Sequence, residues 1–166
     1  ITGMYVVATP LFAAVILRTR VTGLTWAAVA LATAGLGVLT LDGLSVGYGE
    51  AITLVASLLY ALHIVGLGAW SNPTEALGMS VVQLLVIAVV CLVATAPDGV
   101  VLPDRGQDWL AIVYMALVAG ALGLVAQTWA QAHLAPTRTA IVMSTEPVFA
   151  AFFAVLLGGE GVTGRM

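Results

Sequence analysis

Long stretches without a charged side chain run through this sequence and leave it few ways to fold. They cover residues 1–17, 21–41, 51–74, 76–97 and 109–137, and a further apolar stretch, 139–159, contains a single charged residue, Glu146. A helix needs about 20 apolar residues to cross the roughly 30 Å hydrocarbon core of a bilayer, and the stretches are close to or above that length. Only 8% of the residues are charged, whereas soluble domains carry about 25%. The surface of the folded chain therefore has to face lipid.

The apolar stretches are predicted to be helices rather than strands of a membrane barrel. Hydrocarbon offers no water to pair with backbone groups, so only helices and closed barrels can cross it. Barrel strands alternate polar and apolar residues, and a run such as VVQLLVIAVVCLVATA at 81–96 does not alternate. We predict an all-α, polytopic transmembrane helix bundle of six helices. In chain order, helices A to F cover about 1–17, 24–41, 51–69, 79–96, 109–132 and 140–157.

Several classes of function are disfavoured by the composition. The net charge is −3 and there is no run of basic residues, which argues against nucleic acid as a partner. The single cysteine, Cys91, cannot form an internal disulfide. No HExxH, phosphate-binding loop or GxSxG motif occurs. We therefore expect no enzyme activity, no metal site and no cofactor, and we expect the partners to be the bilayer and a small-molecule substrate.

Helices A and F share a pattern around a proline in the middle of an apolar stretch. Pro10 and Pro147 are 137 positions apart (147 − 10), and under this offset Phe-Ala-Ala at 12–14 meets Phe-Ala-Ala at 149–151. Because five helices separate the start of A from the start of F, the two copies cross the membrane in opposite directions. Inverted repeats of this kind are typical of secondary transporters. The alternative is a chance match between two apolar segments.

The segments TPLFAA at 9–14, EPVFAA at 146–151 and LGGEGVT at 157–163 resemble motifs of the EamA-type branch of the drug/metabolite transporter superfamily. The resemblance implies ten helices arranged as two inverted five-helix repeats. Residues 1–41 would then be the last two helices of the first repeat, and residues 51–166 the first four helices of the second. The chain would be a fragment of a multi-pass protein of the cell membrane that moves small metabolites or drugs.

Glu146 is a carboxylate eight residues beyond Arg138, inside the last apolar stretch. A charge at such depth costs several kcal/mol unless it is paired, hydrated or protonated. The next residue, Pro147, cannot donate a backbone hydrogen bond to the carbonyl of Met143, and we expect a bend there and at Pro10. We interpret Glu146 as a site for a proton or for a cationic group of a substrate. The alternative is a side chain that reaches back to the headgroups.

Helix C carries polar side chains at spacings of three and four residues, which fall within an arc of roughly 120°. These residues are Thr53, Ser57, Tyr60 and His63. Such a stripe should face the protein interior or a wet cavity, where His63 could relay protons and Tyr60 and Ser57 could contact a substrate. Hydrogen bonding between helices is the alternative role for His63.

Helix E carries Gln127 and Gln131 four residues apart on one face. We expect them either to line a cavity and contact the substrate or to hydrogen-bond to neighbouring helices. Gln83, in helix D, has no polar companion at helical spacing. We therefore interpret Gln83 as a packing residue.

These patterns together predict a secondary transporter, an exporter, of small polar metabolites or drugs that works by alternating access between two repeats. Glu146, His63, Tyr60, Ser57, Gln127 and Gln131 are its predicted substrate and proton site. The alternative is a non-transporting membrane scaffold or accessory subunit, in which Glu146 would pair with a fixed partner. A channel is the third hypothesis, and no ring of acids supports it.

Overall fold

The computed structural model describes residues 2–40, 47–97, 99 and 102–158, and this part of the chain contains helices and no strand. The predicted all-α fold is thus confirmed. The helices are α1 (Tyr5–Ile16), which follows a 3-10 turn at Thr2–Met4, α2 (Gly23–Thr40), α3 (Tyr48–Trp70), α4 (Ala76–Thr95), α5 (Gly106–Tyr114), a π-helical segment (Met115–Leu122), α6 (Gly123–Gln131), α7 (Pro136–Met143) and α8 (Glu146–Gly158).

Four of the helical segments are long and apolar enough to cross a membrane. They are Tyr48–Trp70, Ala76–Thr95, Gly106–Gln131 and Pro136–Leu156. Predicted helices C and D correspond to α3 and α4, whereas E consists of α5, the π-helical segment and α6, and F consists of α7 and α8. Predicted helices A and B correspond to α1 and α2, whose described apolar segments, Tyr5–Ile16 and Gly23–Gly35, are shorter. Leu41, the last residue predicted for helix B, lies outside the described residues.

Short polar motifs set where the helices begin. The hydroxyl of Thr22 accepts a bond of 3.3 Å from the backbone N–H of Thr25 at the start of α2. Before α3, the Glu50 carboxylate accepts a bond of 2.9 Å from the N–H of Gly47. Helix α7 begins with Pro136 at its first turn, where the missing N–H is not needed. Side chains and prolines thus satisfy or remove the backbone donors that a helix start leaves unpaired.

The chain divides into two compact units, one made of residues 1–69 and 134–166 and the other of residues 70–133. We refer to them as unit 1 and unit 2. Unit 1 contains α1, α2, α3, α7 and α8, and unit 2 contains α4, α5, the π-helical segment and α6.

The core of unit 1 is formed by α1, α3 and α7. Helix α1 packs chiefly on α7, so that the predicted counterparts A and F lie against each other. The buried cluster consists of Tyr5, Val6, Ala8, Ala61, Ile64 and Ala140. Small residues at this contact let the helix backbones approach closely, which is how helices associate where lipid removes the hydrophobic driving force.

In unit 2, α4 packs on α6. Ser80 of α4 and Thr128 of α6 are buried, and most side chains of α4 after residue 80 are apolar and exposed. The π-helical segment has no buried residue. Large exposed apolar surfaces are the normal state of helices that face lipid.

Candidate functional site

The polar stripe of α3 does not have a uniform environment. Ser57 is only 1% exposed, and its hydroxyl donates a bond of 3.0 Å to the carbonyl of Leu54 in its own helix. The Thr53 hydroxyl likewise donates to the carbonyl of Gly49, at 2.8 Å. Both hydroxyl protons are therefore used within α3, and Ser57 can offer a substrate only its oxygen as an acceptor.

Further along α3, Tyr60 and His63 join a group of rings that spans two helices. The ring of Tyr60 stacks on His63, with centroids 6.2 Å apart and planes 11° apart. Its other neighbour is Tyr5 of α1, in an edge-to-face arrangement with centroids 5.2 Å apart. Edge-to-face ring pairs of this kind are energetically favoured over face-to-face ones. The stripe predicted on α3 is thus continued by a tyrosine of α1.

The hydroxyl of Tyr60 also reaches α7, where it lies 4.0 Å from the sulfur of Met143. Met143 is the last residue of α7, and a turn at Ser144 and Thr145 separates it from α8. Both hydroxyls of this turn donate to carbonyls three residues earlier, Ser144 to Ile141 at 2.6 Å and Thr145 to Val142 at 2.7 Å. Tyr60 of α3 therefore contacts the end of α7, next to the turn that separates α7 from α8.

Glu146 is the first residue of α8, directly after this interruption. Its side chain is exposed on unit 1 and lies close enough to the Tyr5 phenol to interact with it electrostatically. Pro147 follows, without a backbone donor for the carbonyl of Met143. The structure thus links Glu146 on α8 to Tyr5 on α1 by an electrostatic interaction, and Tyr5 in turn contacts the ring of Tyr60 on α3.

Pro10, the other residue at which we expected a bend, is buried inside α1, and that helix continues through it. The hydroxyl of the preceding residue, Thr9, donates a bond of 2.6 Å to the carbonyl of Tyr5. Thr9 is fully buried, whereas Glu146, its counterpart in the predicted repeat, is exposed. The two proline motifs therefore differ in both burial and charge.

Gln127 and Gln131 belong to unit 2, on α6. Gln127 is partly buried, and Gln131 is 2% exposed. Between them in sequence, Thr128 accepts a hydrogen bond of 3.2 Å from the side-chain amide of Gln83 on α4. Gln83 thus has a polar contact across the α4–α6 interface in addition to the packing role that we expected. Unit 2 therefore has a polar contact of its own between its helices.

Tyr5, Gln83 and Thr128 are the polar residues at these contacts that we did not identify from the sequence as site candidates. Tyr5 had a usable signal, because Tyr5 and Thr9 lie one helical turn apart in an apolar helix. The pairing of Gln83 with Thr128 had none, because it joins residues 45 positions apart. Within the part of the chain that the structure describes, no three His, Cys, Asp or Glu side chains are grouped so as to hold a metal ion.

Comparison with known protein families identifies a family for this chain. The model of the EamA-like transporter family matches residues 47–165, which is most of the chain and includes the four long spans. No curated protein and no solved structure matches the sequence. The family match confirms the resemblance to this family over residues that include EPVFAA at 146–151 and LGGEGVT at 157–163, and members of this family are transporters rather than enzymes. The chain belongs to the EamA-like transporter family of the drug/metabolite transporter superfamily, and it is an integral, multi-pass membrane protein.

Proposed function

We propose that the protein is a secondary transporter of the cell membrane that exports small polar metabolites or drugs by alternating access. One observation carries this proposal. The Glu146 carboxylate directly follows a turn inside a membrane span and interacts electrostatically with Tyr5, whose ring packs against that of Tyr60.

The position of Glu146 supports a role in transport because an ionised side chain inside a span is costly wherever it faces hydrocarbon. An exposed carboxylate at this position requires water, a proton or a cationic group on its open side. Interrupted helices in transporters commonly border the substrate and ion pathway. The turn at Ser144 and Thr145 replaces regular α-helical hydrogen bonding in the last span directly before Glu146.

We assign the following roles on this basis. Glu146 binds a proton or a cationic group of the substrate, and His63 relays protons. Tyr60 offers its hydroxyl, and Ser57 its oxygen, to polar groups of the substrate. Within unit 2, Gln127 and Gln131 are proposed to contact the substrate through their side-chain amides.

The test uses the full-length protein in proteoliposomes that contain a pH-sensitive dye. Mixtures of common amino acids, sugars and nucleosides are added in turn, and proton movement that depends on the solute is recorded. Glu146→Gln should abolish this movement while the protein keeps its melting temperature. Glu75→Gln, which changes an exposed acid in the turn before α4, is the matched control and should behave as the unmodified protein.

Unchanged solute-dependent proton movement in Glu146→Gln would remove Glu146 from the mechanism. If no solute produces saturable movement through the unmodified protein, the scaffold hypothesis is favoured instead. Flux that does not saturate would indicate a channel.

A further inference from the structure

The side-chain amide of Gln83 has two hydrogen bonds at its nitrogen. Nε2 donates to the hydroxyl oxygen of Thr128 at 3.2 Å and to the backbone carbonyl of Met79 at 3.3 Å. The amide oxygen, Oε1, is buried and has no hydrogen-bond partner among the described residues.

The orientation of this amide follows from the number of available protons. The Thr128 hydroxyl has one proton, and it donates that proton to the carbonyl of Leu124 at 2.8 Å. Towards Gln83 it can therefore only accept. The Met79 carbonyl is also an acceptor. Exchanging the nitrogen and the oxygen of the Gln83 amide would set acceptor against acceptor at both contacts, so Nε2 must lie where it does.

Oε1 is consequently left as an acceptor that needs a donor. A buried polar group without a partner costs about 1–3 kcal/mol, and such groups in native proteins call for an explanation. A packing role alone does not supply one, because leucine would fill the same space between α4 and α6 without that cost.

We propose that Oε1 of Gln83 accepts a hydrogen bond from an O–H or N–H donor that enters between α4 and α6. The donor is either a hydroxyl or amino group of the transported solute, or a water molecule on the path of the solute. The proposal rests on the proposed transport function. It adds to that function a residue of unit 2 and a requirement on the ligand, which must present a hydrogen-bond donor at this position.

Transport kinetics provide the first test, in the full-length protein and with the solute mixtures named above. Gln83→Leu removes the acceptor and should raise the apparent KM about three- to tenfold, the range expected for one hydrogen bond to a neutral group. The melting temperature of the Gln83→Leu variant should not fall by more than that of the Thr128→Val variant. Thr128→Val breaks the same interhelical bond but keeps Oε1, and it should raise the KM less. Gln107→Leu, on the exposed first turn of α5, is the matched control and should leave the KM unchanged.

Equal KM changes in Gln83→Leu and Thr128→Val would mean that Gln83 acts only through its bond to Thr128, and this would overturn the proposal. An unchanged KM in Gln83→Leu would exclude a solute group at Oε1 and leave only the water position, which thiol labelling tests. If Glu146→Gln abolishes solute-dependent proton movement in the same experiments, the transport function stands even when the role of Gln83 fails.

Thiol labelling provides the second test and does not depend on transport. Gln83→Cys is combined with Cys91→Ser, and a membrane-impermeant methanethiosulfonate reagent is added to the proteoliposomes. A reaction that the solute mixtures slow indicates a solute at this position, and a reaction that they leave unchanged indicates water. Both results support a donor that enters between α4 and α6, whereas no reaction contradicts it.

Discussion

Among the described glycines, Gly68 leaves the least room for a Cβ atom, because it lies against Pro136. A Cβ atom at position 68 would overlap the ring of Pro136, which is buried at the first turn of α7. The pyrrolidine ring is fixed to the backbone and cannot rotate away as a flexible side chain could. Gly68→Ala should therefore push α3 and α7 apart, and with them Tyr60 and Met143.

The size of this effect can be separated from the helix propensity of alanine. Replacing a glycine inside a helix by alanine gains about 1 kcal/mol, whereas overpacking a close contact costs about 1–3 kcal/mol. Gly35→Ala, inside α2, is the matched control, because a Cβ atom there has nothing within 4 Å. The free energies of unfolding of the two variants should differ by about 2 kcal/mol, a factor of about 30 in the unfolding equilibrium.

Equilibrium unfolding of the full-length protein in mixed micelles, followed by circular dichroism, measures both variants under one condition. We expect Gly35→Ala to be at least as stable as the unmodified protein and Gly68→Ala to be clearly less stable. If both variants change stability by the same amount and in the same direction, the packing of α3 on α7 described above is wrong.

Three further predictions concern the core and the site. Ile64→Ala should lower the free energy of unfolding by about 2 kcal/mol, because Ile64 is fully buried and a cavity would remain. Leu62→Ala, at an exposed position of α3, is the control and should lower it much less. Equal losses in the same unfolding assay would refute the assigned core. Tyr5→Phe keeps the ring contact with Tyr60 but removes the hydroxyl near Glu146. It should therefore slow solute-dependent proton movement several-fold without changing the melting temperature. If proton movement is not slowed, the Tyr5 hydroxyl has no role in transport. Pro147→Ala restores a backbone donor in the last span, so it should raise the melting temperature and slow transport, and faster transport would contradict a functional helix break.

The helical architecture could be predicted because charge and backbone chemistry act on the sequence directly. An uncharged stretch of about 20 residues has one common structural solution in a bilayer, and the family motifs around Pro10 and Pro147 are contiguous in sequence. The Pro147 motif lies directly after the turn that separates α7 from α8. The π-helical segment at Met115–Leu122 was not predicted, because its apolar sequence MALVAGAL has no turn or cap signal.

The candidate site could be predicted only where its residues share one helix. The spacing of Ser57, Tyr60 and His63 on α3 is visible in the sequence, since helical periodicity brings them to one side. The contact of Tyr60 with Tyr5 and that of Gln83 with Thr128 depend on how helices pack. Among apolar helices, packing follows small residues and van der Waals fit, for which a single sequence carries little signal.

The access of water to position 146 tests the central claim most directly. Glu146→Cys is introduced together with Cys91→Ser into the full-length protein, and a membrane-impermeant thiol reagent is added to one face of the membrane and then, in a separate sample, to the other. Alternating access past Glu146 predicts that the introduced thiol reacts from either face. No reaction from either face would place this side chain against lipid or inside a dry core, and the account of Glu146 as part of a transport site would be contradicted.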